Sequence, residues 1–178
     1  MNRAEHNWGY AMTRSLIPAA TLGLAAGLLA LSPTGAAAQY RQVLGNDLAR
    51  CAPDAGASVL LTVTNIADSN GRIRVQSYRG TSEEWLAKGK WLTRTELPAR
   101  AGTMRVCVPL PGPGTYAIAV RHDRNGNGKT DLRQDGGGMS NNPSINIFNL
   151  GKPSHTKTRF TVGNGPANLS IQMRYMMS

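Results

Sequence analysis

The fold of this chain is constrained most by a series of short segments in which apolar and polar residues alternate. Alternation with a period of two places successive side chains on opposite faces of a β-strand. Turn residues, chiefly Gly, Pro, Asn and Asp, bound the segments. The segments lie at 59–66, 72–79, 103–108, 115–122, 158–162 and 169–175. Strands in this number, with almost no helix, predict an all-β fold: an antiparallel β-sandwich of about six to eight strands.

The connections between these segments carry local signals of their own. The first two are separated by Asp68–Gly71 (DSNG), and Asn-Gly is the strongest short hairpin signal. We therefore expect 59–66 and 72–79 to form a β-hairpin. Ser82, which is followed by two acidic residues, predicts the start of a short helix. The glycine-rich stretch 125–144 predicts a long polar loop, and such a loop in a compact domain is usually functional or mobile.

The N-terminal segment predicts export. An apolar run from Leu16 to Leu31 follows Arg14 and ends before the small residues Ala36–Ala38. A positive start, an apolar centre and a small-residue cleavage site are typical of a secretory signal peptide. The run is shorter than the roughly 20 residues of a membrane-spanning helix. We expect residues 1–38 to be a signal peptide, with Met12 as an alternative start, and the mature chain to be periplasmic or extracellular without an integral membrane segment.

The two cysteines, Cys51 and Cys107, predict one disulfide bond. Exported proteins keep cysteine pairs oxidised. A bridge that closes so long a loop is worth about 4 kcal/mol in the chain-entropy model. Cys107 is out of phase with the apolar residues of its strand and is therefore expected on the outer face. We expect Gln39–Gly56 to be an N-terminal strap that crosses the outside of the sheet, and 57–178 to be the sandwich domain.

Four segments together carry a resemblance to a known family. They are VTNIADSNGRIRVQSY at 63–78, PGPGTYAIAVRHDRNGNGKTD at 111–131, GMSNNP at 138–143 and LSIQMRY at 169–175. From 57 to 175 the chain resembles the small exported bacterial proteins called the domain of unknown function 2141 family. The PGPGTYAIAV piece is also similar to prealbumin-like and carboxypeptidase-regulatory-like sandwiches. The resemblance implies an immunoglobulin-like or transthyretin-like β-sandwich, and it implies no activity because the family has none assigned.

The run at 121–131 predicts a loop that can hold a calcium ion. Calcium takes carboxylate, amide and carbonyl oxygens at alternate positions, with a glycine at the sharp turn. Gln134 replaces the acid expected at the twelfth position, so the affinity is expected to be weak, on the order of 0.1 to 1 mM. The candidate ligands are Asp123, Asn125, Asn127, the Lys129 carbonyl, Asp131 and Asp135. The alternative is a turn in which the Asn and Asp side chains bond nearby backbone amides.

Histidine and serine residues near this loop offer catalytic alternatives. His122, Asp123 and His155 would form a zinc site if the fold brought them together. A triad of His122, an aspartate and Ser140 lacks the sequence context of a nucleophile elbow. A small metal-dependent enzyme that uses His122 and Asp123 therefore stays open beside the non-enzymatic interpretation.

Arginines at outward strand positions predict a basic face. The formal net charge is +10. The residues assigned to this face are Arg72, Arg74, Arg105, Arg159 and Arg174. In an exported protein, such a face is expected to meet an anionic envelope lipid or an acidic polysaccharide. The alternative is an ordinary solvated face, and whether these arginines share one sheet depends on strand order, which the sequence does not give. Nucleic acid is not expected, because the aromatic residues are not interleaved with a basic run.

The function that these observations favour is a non-enzymatic, exported module that binds or supports something in the cell envelope. Two alternatives stay open at this point. One is the small metal-dependent enzyme, and the other is a purely structural module without a ligand. Weak calcium is the only cofactor that the sequence predicts.

Overall fold

A computed structural model describes residues 41–145 and 151–176 of the chain. The predicted signal peptide and the first two residues of the strap lie outside these ranges. Within them, no helix has the length and apolar character that crossing a membrane requires.

Ten strands form two packed sheets. The strands are β1 (Gln42–Val43), β2 (Ser58–Ile66), β3 (Arg72–Arg79), β4 (Thr93–Pro98), β5 (Gly102–Pro109), β6 (Gly114–Asp123), β7 (Gly136–Met139), β8 (Phe160–Val162), β9 (Pro166–Gln172) and β10 (Arg174–Tyr175). The larger sheet has the order β1-β4-β3-β6-β7-β10, with β8 also paired to β6. The smaller sheet has the order β5-β2-β9. A 3-10 turn at Leu48–Cys51 and the one-turn helix α1 (His155–Thr158) complete the described elements.

The core lies between the inner faces of the two sheets. Val59, Leu61 and Val63 alternate along β2, and Ile73 and Val75 alternate along β3; all five are buried. The all-β sandwich predicted from the alternation is confirmed. Its sheets are mixed rather than purely antiparallel, since β2 runs parallel to β9 and β1 parallel to β4. The strand count exceeds the prediction because β1 and β10 are pairs of residues too short to show alternation.

The predicted hairpin between 59–66 and 72–79 is wrong. β2 has β5 on one edge and β9 on the other, so β3 lies in the opposite sheet. Asp68 accepts a hydrogen bond from the Asn70 amide and shapes the turn locally. The Asn70 carbonyl bonds His122 Nε2 at 2.7 Å, which fixes the connection to the end of β6. Two apolar strand faces can meet across a core as well as side by side, and the local turn signal does not distinguish the two.

Two other local predictions differ from the structure. The segment after Ser82 forms turns rather than a helix, and β4 follows it. The predicted loop 125–144 contains β7, whose sequence GGGM carries no strand signal. A Cβ on Gly136 would lie 2.3 Å from the Tyr175 ring, and one on Gly138 would lie 2.6 Å from Ile171 Cγ2. These two glycines therefore permit close packing rather than flexibility.

The N-terminal strap connects the two sheets. β1 pairs with the edge strand β4 of the larger sheet, and the 3-10 turn packs on β5 and β2 of the smaller one. The predicted disulfide is present: Cys51 and Cys107 are bonded, with their Cα atoms 5.8 Å apart. The Asn46 side chain accepts from the Cys107 amide and donates to the Arg105 carbonyl. The strap therefore covers the otherwise open edge of β5.

Candidate functional site

A row of arginines crosses the outer face of the larger sheet. Residues that lie opposite each other on neighbouring antiparallel strands present their side chains to the same face. Arg74 of β3 lies opposite both Glu96 of β4 and Arg121 of β6. Gly137 of β7 lies opposite both Arg121 and, on β10, Arg174. The arginine row, defined as Arg74, Arg121 and Arg174, thus spans four strands, with a glycine between its second and third members.

Burial and like charge act together on the row. Ile73 and Val75 flank Arg74 in sequence and point into the core, so Arg74 points outward. The side chains of Arg74 and Arg121 are nevertheless only 19% and 16% exposed. Burial lowers the pKa of Arg121, and the neighbouring charge of Arg74 lowers it further. The row is therefore a place where positive charge is crowded and poorly hydrated.

Acidic partners compensate only one part of the row. Arg74 Nε donates to Glu96 Oε1 at 2.6 Å, and Arg121 Nη2 lies 3.1 Å from Asp123 Oδ2. Arg121 Nε is buried and has no hydrogen-bond partner among the described residues. Arg174 makes no ion pair within the described part of the chain. The Arg174 end of the row is therefore the end whose charge is uncompensated.

A cavity of about 300 Å³ lies over the row. Its basic lining residues are Arg74, Arg121, Lys152 and Arg174. Its apolar lining residues include Tyr78, Leu86, Ala119, Leu132, Met139, Ile145 and Met176. A concave site with mostly apolar walls and a few placed charges is the usual form of a small-molecule site.

Two loops wall the cavity and are held to each other. Trp85, in the turns between β3 and β4, donates its indole N–H to the Pro153 carbonyl at 2.8 Å. Its ring packs edge-on against Tyr78, with ring centroids 5.5 Å apart. Leu86 directly follows Trp85, Lys152 directly precedes Pro153, and both line the cavity. The walls therefore rest on a buried tyrosine of the sheet rather than on loop residues alone.

The predicted basic face is only partly assembled. Arg72, Arg74 and Arg174 lie in the larger sheet, on the side away from the core. Arg105 lies on β5 in the smaller sheet, and Arg159 follows α1 at its C-cap. Both point to solvent but lie outside the row, because outward phase in a strand does not say which sheet the strand joins. The row instead gains Arg121, whose outward phase was visible in the sequence. Arg94, whose strand went unrecognised, lies 3.8 Å from Glu96.

The Asn/Gly loop after β6 is organised by its own side chains. The Gly128 amide donates to Asp123 Oδ2 at 2.9 Å. Asn125 Oδ1 accepts from the Asn127 amide, and Asn127 Oδ1 accepts from the Lys129 amide. Asp123 is 3% exposed, and its other carboxylate oxygen, Oδ1, has no hydrogen-bond partner among the described residues. The chain thus forms a set of Asx turns around one buried carboxylate.

The other two candidate carboxylates are also bonded to backbone amides. Asp135 accepts from the Arg124 amide through Oδ1 and from the Asp131 amide through Oδ2. Asp131 Oδ1 accepts from the Arg133 amide. Over the described residues, no group of three or more His, Cys, Asp or Glu side chains is placed to hold a metal ion. The geometry accounts for these turns without an ion, and calcium binding at Asp123, Asn125, Asn127, Lys129, Asp131 and Asp135 stays a prediction.

His122 and Asp123 face opposite sides of the sheet. His122 is fully buried and lies in phase with Val120, which points into the core. Its Nδ1 bonds the Tyr175 hydroxyl at 2.8 Å, and its Nε2 bonds the Asn70 carbonyl. The Asn70 carbonyl can only accept, so His122 Nε2 carries a proton; in the neutral ring Nδ1 then accepts from the Tyr175 hydroxyl, which itself accepts from the Ala67 amide. Both ring nitrogens are thus used in holding β6, β10 and the β2–β3 connection together.

Comparison with known proteins identifies the family. A family profile described as "Uncharacterized protein conserved in bacteria (DUF2141)" matches residues 61–170. The chain belongs to this family. No curated protein matches the chain, and no solved structure does. The resemblance inferred from the quoted segments is therefore confirmed.

The GMSNNP segment of this DUF2141 domain is a structural clip. Ser140 is fully buried; its hydroxyl bonds the Thr158 carbonyl at 2.6 Å and accepts from the Ile118 amide at 3.0 Å. Asn142 accepts from the Gln172 amide and donates to the Ser170 carbonyl, so it pairs with the outer edge of β9. The segment joins the two sheets, and the Ser140 hydroxyl is committed to backbone groups. These contacts give the serine of the possible catalytic triad a structural role.

Proposed function

We propose that this DUF2141 domain is an exported, non-enzymatic binding module. Its ligand is an anionic, lipid-derived molecule, which it binds on the outer face of the larger sheet. The observation that carries the proposal is the arginine row under a concave apolar cavity. Like charges placed opposite each other destabilise a sheet. A bound anionic partner offsets this repulsion and so stabilises the arrangement of like charges.

The walls of the cavity favour a lipid-derived ligand over an acidic polysaccharide. A sugar chain presents hydroxyl groups that need hydrogen-bond partners when buried. Tyr78, Leu86 and Met139 offer apolar surface instead. An acyl chain gains by contact with such surface, and the basic residues meet its anionic end. The acidic polysaccharide predicted from the sequence is therefore the less favoured ligand.

The disulfide supports the export part of the proposal, and the buried histidine supports its non-enzymatic part. A bond between Cys51 and Cys107 persists in an oxidising compartment, which agrees with export. His122, which the metal-dependent enzyme would use with Asp123, and Ser140, the serine of the possible triad, are buried and bonded to groups that hold the fold. A general base needs a nitrogen that can reach a substrate proton, so these contacts favour binding over catalysis.

Co-sedimentation with lipid vesicles tests the proposal. Vesicles containing anionic lipid should pull down the protein at low salt and release it at high salt. Arg72→Glu with Arg174→Glu should weaken binding strongly, since each basic group near an anionic membrane contributes about 1 kcal/mol. Arg50→Glu with Arg105→Glu makes the same change in net charge outside the larger sheet, at two exposed positions. If both double variants lose vesicle binding equally, or if binding does not depend on salt, the larger sheet does not carry a defined binding face.

The Asn/Gly loop gives a second candidate function, weak calcium binding. The observation that favours it is Asp123 Oδ1, a buried carboxylate oxygen without a hydrogen-bond partner among the described residues. Carboxylate oxygens are the ligands that calcium prefers. Millimolar calcium should raise the melting temperature, because a ligand of the folded state alone stabilises that state. Asp131→Asn should reduce the rise, and Asp54→Asn, at an exposed site far along the chain, should leave it unchanged. If millimolar calcium does not change the melting curve, the calcium proposal fails and the Asx turns alone explain the loop.

A further inference from the structure

We infer that the cavity over the arginine row holds one single-chain amphiphile that ends in a carboxylate. This inference rests on the proposed function and specifies its ligand. The carboxylate lies between Arg121 and Arg174, and the acyl chain runs along the apolar wall formed by Tyr78, Leu86 and Met139.

Gly137 creates the place for the head. It lies between Arg121 and Arg174 in the cross-strand register, on the face that lines the cavity. Among the described residues, a Cβ at this position would meet only Ile145 Cδ1, at 4.0 Å, so these residues leave space above the glycine. Its neighbours Gly136 and Gly138 are required by core packing, but Gly137 is not. The missing side chain leaves a gap between two guanidinium groups, and a carboxylate matches a guanidinium in shape and charge.

The two arginines beside the gap differ in how they are held. Arg121 is fixed by Asp123 and by a bond from its Nη1 to the Thr130 hydroxyl at 3.1 Å. Arg174 is exposed and forms no ion pair within the described residues. The fixed guanidinium gives the head its position, and the exposed guanidinium of Arg174 is its second positive partner. Lys152, which also lines the cavity and has no ion pair within the same residues, adds positive charge at the rim.

The apolar wall continues from the head in one direction. Ala119 and Met139 lie opposite each other on β6 and β7. Each is two residues along its strand from the Arg121–Gly137 pair and lies on the same face. Gln76 of β3 pairs with Ala119, and beyond it Tyr78 pairs with Ala117 on the same outer face. Apart from the Gln76 amide, these side chains form an apolar floor that leads away from the arginines. A ligand that is charged at one end only fits this order of polar and apolar groups.

The acidic residues of the lining limit the charge of the ligand. Asp131 and Asp135 line the cavity together with the four basic residues. Asp135 is buried, and both its oxygens accept backbone amides, so it stays in place when a ligand enters. With Glu96 and Asp123, which pair with Arg74 and Arg121, these two carboxylates equal the four basic lining residues in number, so no net positive charge is left to favour a dianion over a monoanion. A carboxylate therefore fits better than a phosphate monoester.

Gly137→Leu blocks the proposed head position without disturbing the core. Among the described residues, the heavy atom nearest to a Cβ at this position is 4.0 Å away, and the glycine does not need a positive φ. Gly163→Leu is the matched control, since it adds the same side chain in open space at the β8–β9 turn. Both variants should keep the wild-type melting temperature within a few degrees. Binding changes can then be read as changes at the cavity.

Titration calorimetry with octanoate, 1-octanol and acetate tests the inference on the mature protein. Octanoate should bind once per chain, and octanol and acetate should each bind at least tenfold more weakly. Gly137→Leu should abolish octanoate binding, Gly163→Leu should keep it, and Arg174→Gln should weaken it about tenfold, as expected for one charge-assisted hydrogen bond. Wild-type affinity in Gly137→Leu, or equal binding of octanol and octanoate, would overturn the inference.

The same protein separates the failure of this inference from the failure of the proposed function. If octanoate does not bind but anionic vesicles still do, the inference fails and the binding face remains. If inorganic phosphate binds at the row and octanoate does not, the carboxylate is the wrong head and the inference also fails. If neither vesicles nor any of these small anions bind, the inference and the proposed function fail together.

Discussion

Arg74 and Arg121 lie directly opposite each other on β3 and β6, with their side chains on the same outer face of the larger sheet. This pair is unfavourable in isolation. It is tolerated because Glu96 lies opposite Arg74 on the far side and Asp123 lies two residues from Arg121. The larger sheet therefore carries a charge arrangement whose stability depends on two carboxylates.

Glu96→Gln should destabilise the domain by about 1 to 3 kcal/mol, the usual range for a hydrogen bond to a charged group. Glu96 is 3.7 Å from Arg72, 2.6 Å from Arg74 and 3.8 Å from Arg94, so one carboxylate serves three arginines. Urea unfolding measures the change. The exposed Asp54→Asn should cost less than about 0.5 kcal/mol. In Arg74→Gln, the further loss caused by Glu96→Gln should shrink, and full additivity would show that the two side chains are not coupled.

The three consecutive glycines of β7 should respond differently to alanine. Gly138→Ala should cost about 1 to 3 kcal/mol, because its Cβ would overlap Ile171 at 2.6 Å. Gly136→Ala should cost a similar amount through the Tyr175 ring. Gly137→Ala should be neutral or slightly stabilising, since its Cβ has room and alanine restricts the unfolded chain. Thermal unfolding of the three variants decides this, and equal effects at all three would contradict the packing described for β7.

The sequence predicts which residues share a face of a strand better than it predicts which strands share a sheet. The alternation of side chains along each strand places Arg74 and Arg174 on the outer face, and it places His122 on the inner face with Val120. Arg105 is outward like Arg74 but lies in the other sheet, because strand order depends on contacts distant in sequence. β7 escapes recognition because its glycines are selected by the bulk of Tyr175 and Ile171. The cavity could not be predicted for the same reason, since its floor is defined by the order of β3, β6, β7 and β10.

The cysteine pair should be fully oxidised in the mature protein. Titration of free thiols in denatured, unreduced protein should find none, because Cys51 and Cys107 are bonded and no other cysteine is present. Cys51→Ala with Cys107→Ala should lower the free energy of unfolding by up to about 4 kcal/mol. The double variant also releases the strap from the outside of β5. Two thiols per chain in the unreduced protein would exclude the bond.

Asp68 should make the domain less stable in acid. The Asn70 amide is the main cause of the lowered pKa of Asp68, and the ion pair with Arg124 lowers it further. A carboxyl with a lowered folded-state pKa contributes stability above its ordinary value of 3.8, and this contribution is lost as the pH falls below that value. Asp68→Asn should therefore flatten the acid limb of the curve of stability against pH. Asp54→Asn should leave that limb unchanged, and an unchanged limb in Asp68→Asn would assign the acid sensitivity elsewhere.

Asparagine side chains cover both edges of the smaller sheet. Asn46 bonds the backbone of Arg105 and Cys107 on β5, and Asn142 bonds the backbone of Ser170 and Gln172 on β9. Each side-chain amide supplies one donor and one acceptor, as a neighbouring strand would. Open strand edges invite pairing between chains. The two asparagines therefore keep a three-stranded sheet from extending into a second molecule.

Asn142→Gly isolates this effect. Asn142 has a φ of 48°, which glycine adopts without strain, so the variant removes the side chain and leaves the backbone unstrained. Loss of two hydrogen bonds should cost about 1 to 3 kcal/mol, and the uncovered edge of β9 should promote association that increases with protein concentration. Asn164→Gly, at an exposed turn position, is the control for added chain flexibility. Analytical ultracentrifugation and urea unfolding of both variants check the two effects. If Asn142→Gly remains a monomer at high concentration while losing stability, the side chain holds the fold together but does not protect the edge.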